Sequence, residues 1–406
     1  MSSLLRAAAA ALLCLSITGC PGAKRPPVTR SEDAMREAMK PPRLLDDADL
    51  PSLRAALGES LVWIDALPAD RRFVYGPRVL STAEVRLVFT TMREILVDDP
   101  SPDVLEKRIH ERFDILESTG GESGDVLYTG YYEPVIEAAA APDATYATPV
   151  YARPPDLVEI PIDQFGERFA GERGLFGRID GAESPRPRVL PYWSRTEIAA
   201  GKLAGKNLEL AWAKDPIALF FVEVQGSGAL VFPDGTEKRI GYAASNGRLY
   251  QSIGKLLIDE GQIPREQMSM QALRAWLLAN PSEITRVFAY NPSYVFFRML
   301  DGAPLGSLGR PVTPGRSVAT DSKLFPHGAL AFISTARPIP GPDGKPEPQK
   351  LGRFVLNQDT GGAIRGAGRV DVFWGRGPDA EYSAGHMKER GRLFFLVPKR
   401  VGPASP

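Results

Sequence analysis

In the N-terminal part of the chain, hydrophobic residues recur every three or four positions, which is the spacing of one helix face. The first such stripe runs from Leu53 to Ile64. A second follows Ser81 and Glu84, whose spacing is typical of a capping box at a helix start. A third follows Ser101, with a proline at the first helical position. The pattern therefore predicts three helices in succession.

The remainder of the chain favours strands. Val126–Pro134 reads as a strand with a glycine break, and the apolar run Ile217–Val224 as a buried strand. Two core helices are expected between residues 246 and 281, one opened by Asn246 and one around Leu273. From residue 302 onward, short strands separated by Gly and Pro turns favour a small barrel. The expected strands are Gly328–Ser334, Gly352–Asn357, Val370–Trp374 and Arg392–Pro398, with Pro338–Lys350 as a proline-rich surface loop.

Length and composition indicate an ordinary globular protein of two domains. The chain has 406 residues, of which 43% are hydrophobic and 24% charged. Composition changes in the Ala- and Pro-rich segment 138–155 and again at the turn 290–294, so these are candidate boundaries. The formal net charge is zero. Nucleic acid is therefore not an expected partner, whereas an uncharged polymer such as a glycan is compatible.

The first twenty residues have the pattern of a targeting segment. Arg6 precedes the apolar run Ala7–Ile17, which is too short to span a bilayer. Ile17-Thr18-Gly19-Cys20 resembles a bacterial lipobox, so Cys20 is the expected lipidation site, with an ordinary signal peptide or a core helix as the alternatives. Residues 21–42 are expected to form a flexible tether, or else an extended arm packed on the domain.

The chain offers little for metal or disulfide chemistry. Cys14 and Cys20 are the only cysteines, and both belong to the predicted targeting segment. The three histidines are scattered without ligand spacing. We therefore predict no metal, no cofactor and no disulfide in the mature fold.

The stretch from Gln358 to Gly377, QDTGGAIRGAGRVDVFWGRG, carries the main candidate chemistry. Asp359 and Asp371 stand at the two ends of a Gly-rich turn. On a strand, Asp371 would share a face with Phe373 and be partly shielded from water. Partial desolvation keeps a carboxyl protonated near neutral pH, as acid catalysis requires. The alternative is structural, with Asp359 capping the turn.

Two further segments supply candidate ligand contacts. Thr129 and Tyr131 lie on VLYTGYYEP, where tyrosine rings could stack on sugars, and Glu133 on the same segment is a possible second acid. Gln225, Gly226 and Ser227 form a loop of neutral donors and acceptors suited to a hydroxylated ligand. Core packing and a plain hairpin turn are the respective alternatives.

Five motifs in order resemble the membrane-bound lytic murein transglycosylase A family with its C-terminal 3D domain. They are YTGYYEPV at 128–135, VQGSG at 224–228, YNPSYVFF at 290–297, GRSVATD at 315–321, and the 358–377 stretch. The resemblance implies a mainly β fold with flanking helices, in which a double-psi β-barrel contains a second, inserted β-rich domain. The expected division is 1–20 signal peptide, 21–42 tether, 43–134 and 291–400 barrel, and 135–290 inserted substrate-binding domain.

The resemblance also implies a function. The family cleaves the β-1,4 bond between N-acetylmuramic acid and N-acetylglucosamine in peptidoglycan glycan strands and leaves a 1,6-anhydro end. By motif position Asp371 would be the single catalytic acid and base, with Asp359 and Asp321 as supporting acids. Substrate contacts would come from the set Thr129, Tyr131, Gln225, Gly226, Ser227 and Arg365.

The implied location is the outer membrane, with a lipid anchor on Cys20 and the protein facing the periplasm. A cell-wall synthesis complex is a possible further partner. Two alternative functions stay open from the sequence. One is a lipoprotein that binds peptidoglycan without cutting it, and the other is a glycoside hydrolase with two carboxylates.

Overall fold

A computed structural model describes residues 26–169, 174–181, 183–343 and 345–400. Over these residues the chain forms nineteen strands and nine α-helices. The strands are β1 Met35–Glu37, β2 Arg72–Tyr75, β3 Arg78–Ser81, β4 Phe113–Ser118, β5 Val126–Glu133, β6 Val135–Ala139, β7 Thr148–Tyr151, β8 Val158–Ile160, β9 Leu175–Asp180, β10 Arg188–Pro191, β11 Glu209–Ala213, β12 Ser227–Val231, β13 Glu237–Ser245, β14 Val295–Leu300, β15 Ser317–Ala319, β16 Leu330–Pro340, β17 Pro346–Asp359, β18 Arg369–Arg376 and β19 Glu389–Pro398. The helices are α1 Leu50–Asp65, α2 Thr82–Ile95, α3 Pro102–Arg112, α4 Arg195–Glu197, α5 Pro216–Gln225, α6 Ile253–Asp259, α7 Met270–Ala279, α8 Ile284–Tyr290 and α9 Pro378–His386.

Six strands close into a barrel in the order β19-β16-β17-β15-β18-β5, and β5 pairs back to β19. Two neighbouring pairs, β15–β17 and β18–β5, are parallel, and the others are antiparallel. Strands β4 and β1 extend the sheet from the free edge of β19. Closure removes the exposed edges that an open sheet of these strands would present.

A second sheet of six strands has the order β14-β13-β12-β6-β11-β7, and β8, β9 and β10 form a small third sheet. The chain passes from the barrel to the second sheet at Pro134, between β5 and β6. Together these sheets confirm the predicted fold class, a mainly β double-psi barrel with flanking helices and a second β-rich domain inserted into it. Strand β14, which the predicted boundary at 290/291 assigns to the barrel part, pairs with β13 in the second sheet.

The three predicted N-terminal helices are confirmed as α1, α2 and α3. The apolar stripe of α1 from Leu53 to Ile64 is buried in the same core as the barrel strands. Ser81 and Glu84 form the predicted capping box of α2, with the Glu84 carboxylate accepting from the Ser81 N–H at 2.8 Å. These helices pack on the barrel, and the buried amide of Gln358 donates to the Ala56 carbonyl of α1 at 2.8 Å. This contact fixes the end of β17, where Asp359 lies.

The segment Ile217–Val224, predicted as a strand, is the helix α5. Asp215 caps it by accepting from the Ile217 N–H at 2.8 Å, and Pro216 occupies the first turn. One side of the helix packs in the core of the second sheet and the other packs against α6, α7 and α8. Because it is buried on both sides, its apolar residues run continuously and hide the helical period.

Asn246 does not open a helix. Its side chain is fully buried and donates to the carbonyls of Trp193 and Pro292, while its Oδ1 accepts from the Tyr294 N–H at 2.9 Å. Helix α6 begins only at Ile253, capped by Ser252. The predicted helix around Leu273 is confirmed as α7.

The proline-rich segment 338–350 is not a loop but the outer half of a long hairpin formed by β16 and β17. Pro338 pairs with Pro348, and Pro340 pairs with Pro346. Proline cannot donate, so these must be the non-hydrogen-bonded pairs of an antiparallel ladder, whose N–H groups point outward. The ladder inside the hairpin is therefore kept, while both outer edges lose donors that could pair with another strand.

The predicted signal segment and Cys20 lie outside the described residues. Of the expected tether at 21–42, Met35–Glu37 forms β1 and pairs with β4, and Ala34 and Met35 are buried. This part is therefore an arm packed on the barrel rather than a free linker. Within the described residues, no helix combines the length and the apolar composition needed to cross a bilayer.

Candidate active site

Strand β18 carries Asp371 between two neighbouring strands. Asp371 lies opposite Thr129 of β5 in the parallel ladder and opposite Ala319 of β15 in the antiparallel one. Alternation along β18 buries Val370 and Val372 in the barrel core, as predicted. The Asp371 side chain retains 20% of its exposure, so it is shielded from water yet reachable.

The electrostatics of Asp371 result from two opposing effects. Burial raises the pKa of its carboxyl, because the charged form loses its solvation. The guanidinium of Arg369 lowers that pKa in part, with its Nε 3.5 Å from Asp371 Oδ1. The net direction is upward, which keeps the proton available for donation.

Asp359 lies at the end of β17, held by three donors. Tyr131 donates its hydroxyl to Oδ2 at 2.8 Å, and the backbone N–H groups of Ser307 and Thr360 donate to Oδ1 at 3.0 and 2.8 Å. Burial raises the pKa of Asp359 to about 6 against the effect of these donors, and the charge of Asp371 raises it further. The two carboxyls are therefore electrostatic neighbours.

Asp321 is a different case. Its Oδ2 accepts from the Gly366 N–H at 2.8 Å and its Oδ1 from the Lys323 N–H at 3.1 Å. Both carboxylate oxygens therefore accept from backbone N–H groups. The bond from Gly366 anchors the Gly-rich turn that connects β17 to β18. In this arrangement Asp321 holds the turn.

The structure brings Thr129 and Tyr131 to the site, but with partners of their own. Thr129 Oγ1 accepts from Arg369 Nη2 at 3.0 Å. The Tyr131 hydroxyl is bound to Asp359, and its ring packs on Phe373 with centroids 5.1 Å apart. Thr129 therefore binds the guanidinium of Arg369, and Tyr131 binds the carboxyl of Asp359.

Gln225, Gly226 and Ser227 do not form a free loop, because each belongs to the end of a helix or the start of a strand. Gln225 ends α5, and its Oε1 accepts from the Tyr132 N–H at 3.1 Å, which joins the second domain to β5. Gly226 ends the helix in a left-handed conformation with φ 82°, where a side chain would be strained. Ser227 is the first residue of β12 and pairs with Gly241.

Of the remaining candidates, Arg365 is exposed, and its Nη1 donates to the carbonyls of Gly361 and Ile364 within its own turn. Glu133 is 4% exposed and paired with Arg239 at 2.9 Å, so it is not a free second acid. Arg369, in contact with Asp371, was not among the predicted site residues. The sequence did indicate this contact, because Arg369 lies two residues before Asp371 on one strand and both side chains therefore project from the same face.

A cavity of about 420 Å³ lies where β5 leaves the barrel, and neither Asp371 nor Asp359 lines it. Its wall includes Tyr132, Glu133 and the first residues of α9. Both Tyr132 and Glu133 line it, so the cavity lies around the end of β5, beyond Thr129 and Tyr131. Among the described residues, no cluster of three or more His, Cys, Asp or Glu side chains is arranged to hold a metal ion.

Comparison with known proteins decides the family. The family model named MltA specific insert domain matches residues 127–298, and the 3D domain model matches residues 316–397. The chain is 36% identical over 280 residues to the membrane-bound lytic murein transglycosylase A of Vibrio cholerae, an alignment that covers 68% of this chain and 67% of that protein. The chain belongs to the membrane-bound lytic murein transglycosylase A family.

Solved structures agree with this assignment. A membrane-bound lytic murein transglycosylase from Agrobacterium tumefaciens superposes with a TM-score of 0.72 at 32% identity, covering 90% of this chain and 98% of that one. Escherichia coli MltA with bound chitohexaose superposes with a TM-score of 0.70 at 26% identity, covering 94% and 97% respectively. Members of the lytic murein transglycosylase A family are enzymes, so the site around Asp371 belongs to an enzyme.

Proposed function

We propose that this chain cleaves the β-1,4 bond between N-acetylmuramic acid and N-acetylglucosamine in peptidoglycan and leaves a 1,6-anhydro end, with Asp371 as its single acid and base. The observation that carries the proposal is the environment of Asp371, a shielded but reachable carboxyl with a raised pKa on the strand that neighbours Thr129. The chitohexaose bound to the E. coli relative supports a glycan of this linkage class as the substrate.

One carboxyl is sufficient when the nucleophile is the sugar itself. Asp371 gives its proton to the glycosidic oxygen, the bond from C1 to that oxygen breaks, and its electron pair stays with the leaving sugar. The C6 hydroxyl of the muramic residue then attacks C1, and the Asp371 carboxylate takes the hydroxyl proton. The acid is restored, no water is consumed, and the attack gains from being intramolecular.

In this proposal Asp359 is the supporting acid. Its three hydrogen bonds favour the carboxylate form, and a negative charge near Asp371 disfavours loss of the Asp371 proton. Thr129 and Tyr131 hold the charged groups and offer their remaining surface to the sugar. Substrate contacts by Gln225, Gly226, Ser227 and Arg365 stay predictions, because each has a backbone partner or a turn position of its own.

Product mass is the test. Sacculi digested by the purified enzyme should release muropeptides with anhydro ends, as measured by mass spectrometry. Products heavier by one water would instead identify a hydrolase with a second carboxyl, and the proposal would be abandoned. The ion pair of Glu133 with Arg239 argues against the obvious second carboxyl. Intact sacculi after prolonged incubation would favour the binding-only alternative, against which the family membership speaks.

We also propose that the protein is an outer-membrane lipoprotein facing the periplasm, anchored through Cys20. The lipobox pattern carries this proposal, and the family name describes its members as membrane-bound. Replacing Cys20 with Ala should release the full chain into the soluble fraction of cells. If the variant stays membrane-associated to the same extent as the wild type, Cys20 is not the anchor and this proposal is wrong. Membership of a cell-wall synthesis complex stays a prediction.

The proposed domain division follows the sheets. Residues 43–134 and the C-terminal part of the chain would form the catalytic barrel around an inserted substrate-binding domain that begins at residue 135. Pairing of β14 with β13 supports an insert that extends to Leu300, the last residue of β14.

A further inference from the structure

Two buried polar atoms in the site face each other without a hydrogen bond. They are Arg369 Nε and Asp371 Oδ1, both of which lack a hydrogen-bond partner among the described residues. They are 3.5 Å apart, which is longer than an N–H···O bond of about 2.7–3.2 Å. A buried donor left without a partner destabilises the folded protein, so its presence in the site calls for an explanation.

The position of Arg369 is fixed from outside the pair. It lies two residues before Asp371 on β18, so both side chains project from one face of the strand. Its Nη2 donates to Thr129 Oγ1 at 3.0 Å, and Thr129 is the residue opposite Asp371 in the parallel ladder. The guanidinium is therefore held by Thr129 of the neighbouring strand β5, while its Nε points at the carboxyl of Asp371 on its own strand.

The Asp371 carboxyl is asymmetric as a result. Oδ1 faces Arg369 and is buried, yet the side chain as a whole keeps 20% exposure. The accessible side of the carboxyl is therefore the side turned away from Arg369. That side contains Oδ2.

The geometry points to Arg369 as a positioning residue that holds the Asp371 carboxyl by Oδ1 and leaves Oδ2 to give and retake the proton. This inference rests on the proposed role of Asp371. When Asp371 has given its proton to the glycosidic oxygen, the carboxylate and the guanidinium can close to a charge-assisted bond of about 2.7–2.9 Å. When the C6 hydroxyl returns a proton to Oδ2, the bond lengthens again. No oxidant, reductant or further reactant is needed.

The other groups that face Asp371 do not replace this arginine. Asp359, from the end of β17, is an acid, and its three donors are the neutral Tyr131 hydroxyl and two backbone N–H groups. Strand β15 contributes Ala319 opposite Asp371, and Asp321 beyond it is bound to backbone. Arg369 is thus the cation within ion-pair distance of Asp371 in the described part of the chain.

The test uses Arg369→Gln and Arg369→Lys in the full-length enzyme, with soluble glycan strands as substrate. With Gln, we expect kcat to fall by about 10²-fold, because a misplaced catalytic group costs that much. KM should stay close to the wild-type value. The alkaline limb of the pH profile should move to higher pH, because removing a nearby positive charge raises the pKa of a carboxyl. Lys keeps the charge, so its limb should stay near that of the wild type while kcat recovers only in part.

Arg86→Gln is the matched control, since Arg86 makes an exposed 2.7 Å ion pair with Asp65 on the helical side of the barrel. Its kinetics should not change. An unmoved alkaline limb in Arg369→Gln, or a rise in KM with kcat unchanged, would overturn the inference and leave Asp371 in place. Activity in Asp371→Asn would instead overturn the proposed function itself. Melting curves for each variant separate both results from a folding defect.

Discussion

The hydroxyl of Tyr131 donates a 2.8 Å hydrogen bond to Asp359, which lies on a strand not adjacent to its own in the barrel. β5 and β17 are separated by β18 and β15, so the bond spans the strand that carries Asp371. Tyr131 therefore fixes the second carboxyl of the site relative to the first. The ring of Tyr131 rests on Phe373, which keeps the hydroxyl in place.

Removing that hydroxyl should change the titration of Asp359. In Tyr131→Phe, the carboxylate loses one of three donors, so the pKa of Asp359 should rise above about 6. The ring contact with Phe373 is kept. We expect a loss of about 1.5–3 kcal/mol in unfolding free energy at pH 7.5, where Asp359 is ionised. The loss should be smaller at pH 5, and carbon-13 NMR of the aspartates would show the pKa. An equal loss at both pH values would contradict the ionised state of Asp359.

Replacing Asp359 should change how stability depends on pH. Its pKa is raised in the folded state to about 6, so it favours folding most below the ordinary carboxyl pKa and that contribution is lost as the pH rises through 6. Asp359→Asn has no such titration. From pH 4 to pH 7, we expect the variant to gain about 1–2 kcal/mol relative to the wild type, after discounting for partial solvent screening. Denaturant unfolding at each pH measures this, and a constant difference would show that Asp359 is not buried as an acid.

Asp371→Asn should abolish murein cleavage with little change in folding. The amide keeps the shape of the carboxyl but has no proton to give, and loss of a general acid costs about 10²–10⁴-fold in rate. Asp125→Asn is the control, because Asp125 makes a 2.9 Å surface pair with Arg390. A zymogram and a melting curve on both proteins suffice. Near-normal cleavage by the Asp371 variant would exclude it from catalysis.

Gln225 should behave as a joint between domains. Gln225→Met removes the acceptor of the Tyr132 N–H while keeping the length of the side chain, and an unpaired buried N–H costs about 1–3 kcal/mol. Gln225→Glu keeps the acceptor and should be nearly as stable as the wild type. If the Glu variant is stable but fails to bind glycan strands, Gln225 contacts the substrate directly, as the motif resemblance implies.

The patterns that predicted structure well were those that depend only on contacts between residues close together in the sequence. The capping box of Ser81 and Glu84 and the apolar stripe of α1 are contacts within one helix, so the sequence contains all of their information. The alternation on β18 is similar, because Val370 and Val372 must face the core whatever their partners are. The two acids of the 358–377 stretch could likewise be read directly from the chain.

The failures share one cause, which is that packing partners are not written in the local sequence. Helix α5 is apolar on all sides because two cores enclose it, and its one helical signal was Asp215 followed by Pro216. The four prolines of the β16–β17 hairpin indicate a loop in the sequence. Only the strand register shows that they lie in non-hydrogen-bonded pairs, where no backbone N–H is needed.

By itself, the sequence determined the three N-terminal helices with the capping box of α2, the β character of the C-terminal part, the family motifs and the candidate acids, because short-range sterics and periodicity fix them. Only the tertiary structure decided what those acids contact. Closure of the barrel places Thr129 next to Asp371 and positions Arg369 against the same carboxyl, while Asp321 accepts from a backbone N–H of the turn. The first two of these contacts depend on the register of β18 against β5, which are more than two hundred residues apart, and no local pattern encodes a register of that range.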